Sequence, residues 1–120
     1  MKKVLIVDDA AFIRMQLKQL LVKNNYEVVG EAGNGKEALE KIQTLKPDIV
    51  TLDITMPVMD GLECLEEINK LEDKPLVIMV TAMGQEAYVN RAILNGAKGF
   101  IVKPYKPETV LKQLERLGNR

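Results

Sequence analysis

Four short apolar runs punctuate the chain, and each ends in a polar residue. Val4-Leu5-Ile6-Val7 leads into Asp8-Asp9, and Ile49-Val50-Thr51-Leu52 leads into Asp53. Leu76-Val77-Ile78-Met79-Val80 leads into Thr81, and Phe100-Ile101-Val102 leads into Lys103-Pro104. Runs this short and this rich in β-branched residues read as buried strands of a parallel sheet.

Between the runs the apolar spacing changes to the helical period. Ile13, Leu17, Leu20 and Leu21 recur at i, i+4, i+7 and i+8, the buried face of a first helix. A further strand is expected at about Glu27–Ala32. Asn34 then caps a second helix, and Glu37 three residues on predicts a capping box. Ala38, Ile42 and Leu45 form that helix's apolar stripe, and Pro47 lies just beyond its end. A third strand is expected at about Asp48–Leu52. Asp60-Gly61-Leu62-Glu63 repeats the capping-box spacing, with Leu62, Leu65 and Ile68 facing inward. Strand four is expected at about Leu76–Val80. A helix from near Gln85 to Asn95 stops at Gly96, a suitable residue just past a helix end. Strand five is expected at about Gly99–Val102. Pro107 suits the first position of a last helix that turns Val110, Leu111, Leu114 and Leu117 inward.

Five strands alternating with five helices predict a single-domain α/β fold, flavodoxin-like (βα)5, with helices on both faces of a five-stranded parallel sheet. The second strand is the most polar, so it belongs at an edge, which fits the order 2-1-3-4-5. Ligands of such sheets bind beyond the carboxyl ends of the strands, where the strand order reverses. Asp8, Asp9, Asp53, Thr81 and Lys103 would all gather there.

Composition narrows the chemistry. The 120 residues suit one domain, with no low-complexity or linker segment and no apolar run near the roughly 18 residues of a membrane span. A single cysteine, Cys64, allows no intramolecular disulfide and fits a reducing compartment, so a cytoplasmic protein away from the membrane is expected. Cys64 itself is expected to be a packing residue. Lys+Arg and Asp+Glu both number 17, which leaves no overall basic field for nucleic acid. Histidine is absent, excluding His-dependent triads, His metal sites and a phosphohistidine on this chain.

Two like charges ~5 Å apart cost roughly 3 kcal/mol at an effective dielectric near 20. Three clustered carboxylates therefore call for a cation, and oxygen ligands without His or Cys select a hard one, Mg2+. Lys103 adds a second positive charge, and Thr81 offers a hydrogen bond. The set matches the needs of phosphoryl transfer.

Val7-Asp8-Asp9, Asp53-Ile54-Thr55-Met56-Pro57 with Asp60-Gly61, Val80-Thr81-Ala82 and Val102-Lys103-Pro104 together resemble the receiver domain of two-component response regulators. The likeness runs from Lys3 to about Leu117 and is strongest to the chemotaxis branch of that family. The 2-1-3-4-5 order is the family's own, so it is not an independent deduction. The resemblance implies that Asp53 accepts a phosphoryl group from a phosphohistidine on a sensor histidine kinase. Asp8, Asp9, Asp53 and the Thr55 carbonyl would hold Mg2+, and Lys103 would pair with the phosphoryl oxygens. Thr81 would swing toward the phosphate while Phe100 turns inward, remodelling the face of the fourth helix, fifth strand and fifth helix for a docking partner. A flagellar motor switch protein and a phosphatase are the partners this implies. The expected protein is a monomeric signalling phosphoacceptor rather than a turnover enzyme, a receiver over residues 1–120 with no output domain.

Two positions modify that picture. Phe100 has no hydroxyl where the family often has tyrosine, which implies a leakier switch. Apolar Met83, two residues past Thr81, cannot orient an attacking water, which implies slow loss of phosphate. Tyr88 and Tyr105 bracket the docking face and are candidate partner contacts.

Rival readings meet specific obstacles. Gly30-Glu31-Ala32-Gly33-Asn34-Gly35-Lys36 has most of a P-loop, but Glu37 replaces the Ser/Thr that should bind Mg2+. A haloacid dehalogenase-type phosphatase wants a second aspartate where Thr55 stands. A flavin phosphate would be repelled by three carboxylates. Within the family the alternative is a phosphorelay receiver, or one excised from a longer regulator such as a transcriptional one.

Overall fold

The computed structural model describes residues 1–118. The strands are β1 (Lys3–Val7), β2 (Glu27–Ala32), β3 (Ile49–Asp53), β4 (Leu76–Ala82) and β5 (Gly99–Lys103). The helices are α1 (Ala11–Lys23), α2 (Gly35–Leu45), α3 (Gly61–Ile68), α4 (Glu86–Leu94) and α5 (Pro107–Gly118). All strand pairs are parallel, in the expected order β2-β1-β3-β4-β5.

Alternation along the strands divides the core into two layers. Leu5, Val7, Val50, Leu52, Val77 and Met79 pack with the inner faces of α2, α3 and α4. Val4, Ile6, Ile49, Ile78 and Ile101 pack on the other face with Leu17 and Leu21 of α1 and Val110, Leu114 and Leu117 of α5. Central strands buried on both sides explain the unbroken apolar runs. β2, open at the edge, is only partly buried and carries Glu27 and Glu31.

The differences from the sequence reading lie at element ends. β3 runs one residue later than expected and includes Asp53, while β4 continues through Thr81 and Ala82 and β5 through Lys103. Ladder bonds to neighbouring strands hold these polar residues in extended backbone, which a hydrophobicity pattern does not register. The capping box expected at α2 is only half formed. The Asn34 side chain accepts from the Glu37 amide at 2.9 Å, but Glu37 turns its carboxylate to Lys41, 3.1 Å away. At α3 the box is complete, with Asp60 and Glu63 bonding reciprocally. Leu45, Leu111, Ile13 and Leu20 are half-buried rather than core residues.

Candidate phosphoacceptor site at the carboxyl edge of the sheet

Asp8, Asp9 and Asp53 meet where the sheet reverses its winding. One carboxylate oxygen from each lies within 4.8 Å of the others, with Asp8 and Asp53 buried and Asp9 exposed. The Asp8 amide donates to the Ala32 carbonyl at 3.0 Å, and Asp8 Oδ1 accepts from the Ala10 amide at 2.9 Å. Arg14, one turn into α1, donates from Nη1 to the Asp8 carbonyl at 2.6 Å and from Nε to Glu31 at 3.0 Å. The acidic turn is thus clamped between α1 and β2. Arg14 is a positioning residue that no strand-end pattern identifies, because its partner on β2 is 17 residues away.

Asp53 sits at the end of the most buried strand. Beyond it, the Gly61 amide donates to the Ile54 carbonyl at 2.7 Å, drawing the start of α3 against the strand end. A Cβ at Gly61 would lie 2.1 Å from the Asp53 carbonyl oxygen. Only glycine permits that approach. The intervening turn carries Val58 at φ 67, a left-handed conformation costly for a β-branched residue.

Lys103 reaches the cluster from β5. Its Nζ is 2.8 Å from Asp8 Oδ2 and 3.6 Å from Asp53 Oδ2. Burial opposes the ammonium charge, yet the hydrogen bond to Asp8 and the charges of Asp53 and Asp8 prevail and raise its pKa. Asp53 responds in the opposite sense. Burial first, then the neighbouring Asp8 charge, push its carboxyl up to about 6, against the pull of Lys103. One lysine therefore does not neutralise the cluster. Three oxygen donors with that residual charge, and no nitrogen or sulfur ligand among them, fit a hard divalent cation such as Mg2+.

Thr81 lies one residue beyond Val80, the β4 partner of Asp53. The Thr81 hydroxyl, expected to swing toward a phosphoryl group, here lies 3.0 Å from Gln85 Oε1, to which it donates, with the Ala82 carbonyl 3.2 Å away. Phe100 is 43% exposed and turned outward. Between the two lies a cavity of about 200 Å³, lined by Thr81, Ala82, Glu86, Val89, Asn90, Phe100 and Val102. Thr55 and Met83 both stand exposed at the rim.

The family model of the response regulator receiver domain matches residues 4–115. The chain belongs to the response regulator receiver family. This receiver is 55% identical to the chemotaxis protein CheY of Thermotoga maritima over 117 residues, 98% of each chain. It is 51% identical to CheY of Bacillus subtilis over the same length and coverage. Its fold superposes on the crystal structure of a CheX–CheY–BeF3–Mg2+ complex from Borrelia burgdorferi with a TM-score of 0.91. That match has 41% identity and covers 97% of this chain and 88% of the other.

The remaining expectations resolve unevenly. Cys64 is a core residue, its thiol 3.6 Å from the Gly35 carbonyl and pushed up to about 12 by burial and by Asp60 and Glu67. Tyr88 is exposed on α4, while Tyr105 is half-buried. It packs against the α1/α5 core with its hydroxyl buried. The P-loop-like segment holds no phosphate cradle. Gly30 lies inside β2, and the Gly35 amide already donates to the Met59 carbonyl at 2.9 Å.

Proposed function

We propose that this receiver is a chemotaxis regulator that carries a phosphoryl group on Asp53. The observation that supports it most is the convergence of Asp8, Asp9 and Asp53 within 4.8 Å beside the Lys103 ammonium. Burial and the Asp8 charge raise the Asp53 carboxyl only to about 6, so at neutral pH it is available as a carboxylate nucleophile. A carboxylate oxygen attacks the phosphorus of a phosphohistidine on a sensor kinase. The P–N bond breaks, its electron pair stays on the imidazole nitrogen, and an acyl phosphate forms on Asp53.

Lys103 needs to move little to serve this step. It stands 3.6 Å from Asp53 Oδ2 and can transfer its hydrogen bond from Asp8 to a phosphoryl oxygen. Asp8, Asp9 and Asp53, with the Thr55 carbonyl, are the residues that would hold Mg2+, whose charge would offset that of carboxylates and phosphoryl oxygens.

Thr81 then reads the product. Turning its hydroxyl to the phosphoryl group frees space beside the cavity, which Phe100 enters from its exposed position. The surface of α4, β5 and α5 changes in consequence. In the cytoplasm the partners of this surface are a sensor histidine kinase of the chemotaxis type and the flagellar motor switch. A CheX-like protein is a further candidate, since the Borrelia burgdorferi relative was solved with CheX. The test is binding of a flagellar switch peptide before and after treatment with beryllofluoride and Mg2+. Tighter binding after treatment supports the reading, and equal binding refutes the proposed output.

A further inference from the structure

Gln85 stands outside the carboxylate cluster, yet its side chain spans the mouth of the site. Its Oε1 accepts from both donors at the end of β4, the Thr81 hydroxyl at 3.0 Å and the Ala82 amide at 2.8 Å. Its Nε2 donates to Thr55 Oγ1 at 2.9 Å, on the loop that follows β3. One amide thus satisfies three groups, two at the end of β4 and one on the loop after β3. Thr81 is 1% exposed, so its hydroxyl has little water to turn to; of its two acceptors in reach, Gln85 Oε1 at 3.0 Å is nearer than the Ala82 carbonyl at 3.2 Å.

We propose that Gln85 is a positioning residue that latches the receiver in its resting form. It holds the Thr81 hydroxyl away from the phosphoryl position and anchors that choice to Thr55 across the site. The proposal rests on the reading of Asp53 as phosphoacceptor. A phosphoryl group on Asp53 competes with Gln85 for the Thr81 hydroxyl, and winning it breaks the latch. Ala82, Met83 and Gly84 are exposed, and nothing lies within 4 Å of a Cβ position at Gly84. The phosphorylated and resting forms would then differ in which acceptor Thr81 serves, and Gln85 would set the balance between them.

The test compares native protein, Gln85→Met and Thr81→Ala, singly and combined, by fluorine NMR titration with beryllofluoride and Mg2+. Methionine keeps the length of the side chain and loses its hydrogen bonds. Gln85→Met is expected to bind beryllofluoride about threefold to tenfold more tightly, the worth of one net hydrogen bond. Its ligand-free methyl and amide resonances near Thr81 and Phe100 should lie part-way along the line joining free and beryllofluoride-bound native protein. In the Thr81→Ala background the same substitution should change nothing, because the latched hydroxyl is gone. Unchanged or weaker binding by Gln85→Met, or an equal effect without Thr81, overturns the latch. If Gln85→Met fails to fold, Thr55→Val removes only the anchor. It should tighten binding in the same direction, and no change there is equally fatal. Native protein that binds no beryllofluoride would refute the phosphoacceptor reading itself.

Discussion

Asp53→Asn should make the metal-free protein more stable at neutral pH. The Asp53 carboxyl is raised from 3.8 to about 6 on folding, so the native state binds its proton more tightly than the unfolded chain. Stability from that proton is full below pH 4 and is lost as the pH rises through 6. That rise, at 1.36 kcal/mol for each tenfold change in proton affinity, gives an upper bound of about 3 kcal/mol. Water and salt at the open edge reduce it to about 1–2 kcal/mol. Asparagine keeps the shape and removes the charge. Urea unfolding at pH 7.5 with a chelator should therefore show Asp53→Asn about 1–2 kcal/mol more stable. The advantage should fall by about half at pH 5 and nearly vanish at pH 4. Mg2+ at ten times its dissociation constant should return about 1.4 kcal/mol to the native protein. A variant less stable than the native protein at pH 7.5, or a gain that ignores pH, would refute the assignment of uncompensated charge to this site.

Three further substitutions probe other parts of the account. Lys103→Met leaves Asp8 and Asp53 without their counter-ion and should cost about 2–4 kcal/mol in urea at pH 7.5, together with most of the phosphorylation rate by phosphoramidate. Gly61→Ala puts a methyl group on the Asp53 carbonyl and should cost about 3 kcal/mol or more, read as a fall in the thermal midpoint. Met83→Glu places a water-orienting carboxylate at a 75% exposed rim position, and the phosphoprotein should lose phosphate faster than the native one in a pulse-chase of bound phosphate. Slower loss would remove Met83 from the account of phosphate lifetime.

The succession of elements and the polar strand ends were legible because buried parallel strands show as short unbroken apolar runs and helix burial repeats at 3.6 residues, whereas the strand order rests on the family resemblance. Once a parallel sheet placed four strand ends at one edge, Asp8, Asp9, Asp53, Thr81 and Lys103 followed without side-chain information. What escaped was the choice among competing partners. Glu37 could cap α2 or pair with Lys41, alternatives separated by tenths of a kcal/mol, and spacing favours neither. Gln85 and Arg14 are ordinary loop and helix residues in the pattern. They gain importance only when the fold brings Thr55, Thr81, Asp8 and Glu31 within reach. The capping-box spacing places Gly61 between Asp60 and Glu63, whereas its stricter requirement is the absent Cβ beside Asp53.

The central claim is that Asp53 takes the phosphoryl group with help from a divalent ion. Intact-mass spectrometry after incubation with acetyl phosphate, followed by borohydride trapping and peptide mapping, tests it most directly. The expected result is one phosphoryl adduct, mapped to Asp53, dependent on Mg2+ and absent from Asp53→Asn. An adduct on another residue, or none with Mg2+ present, would contradict it.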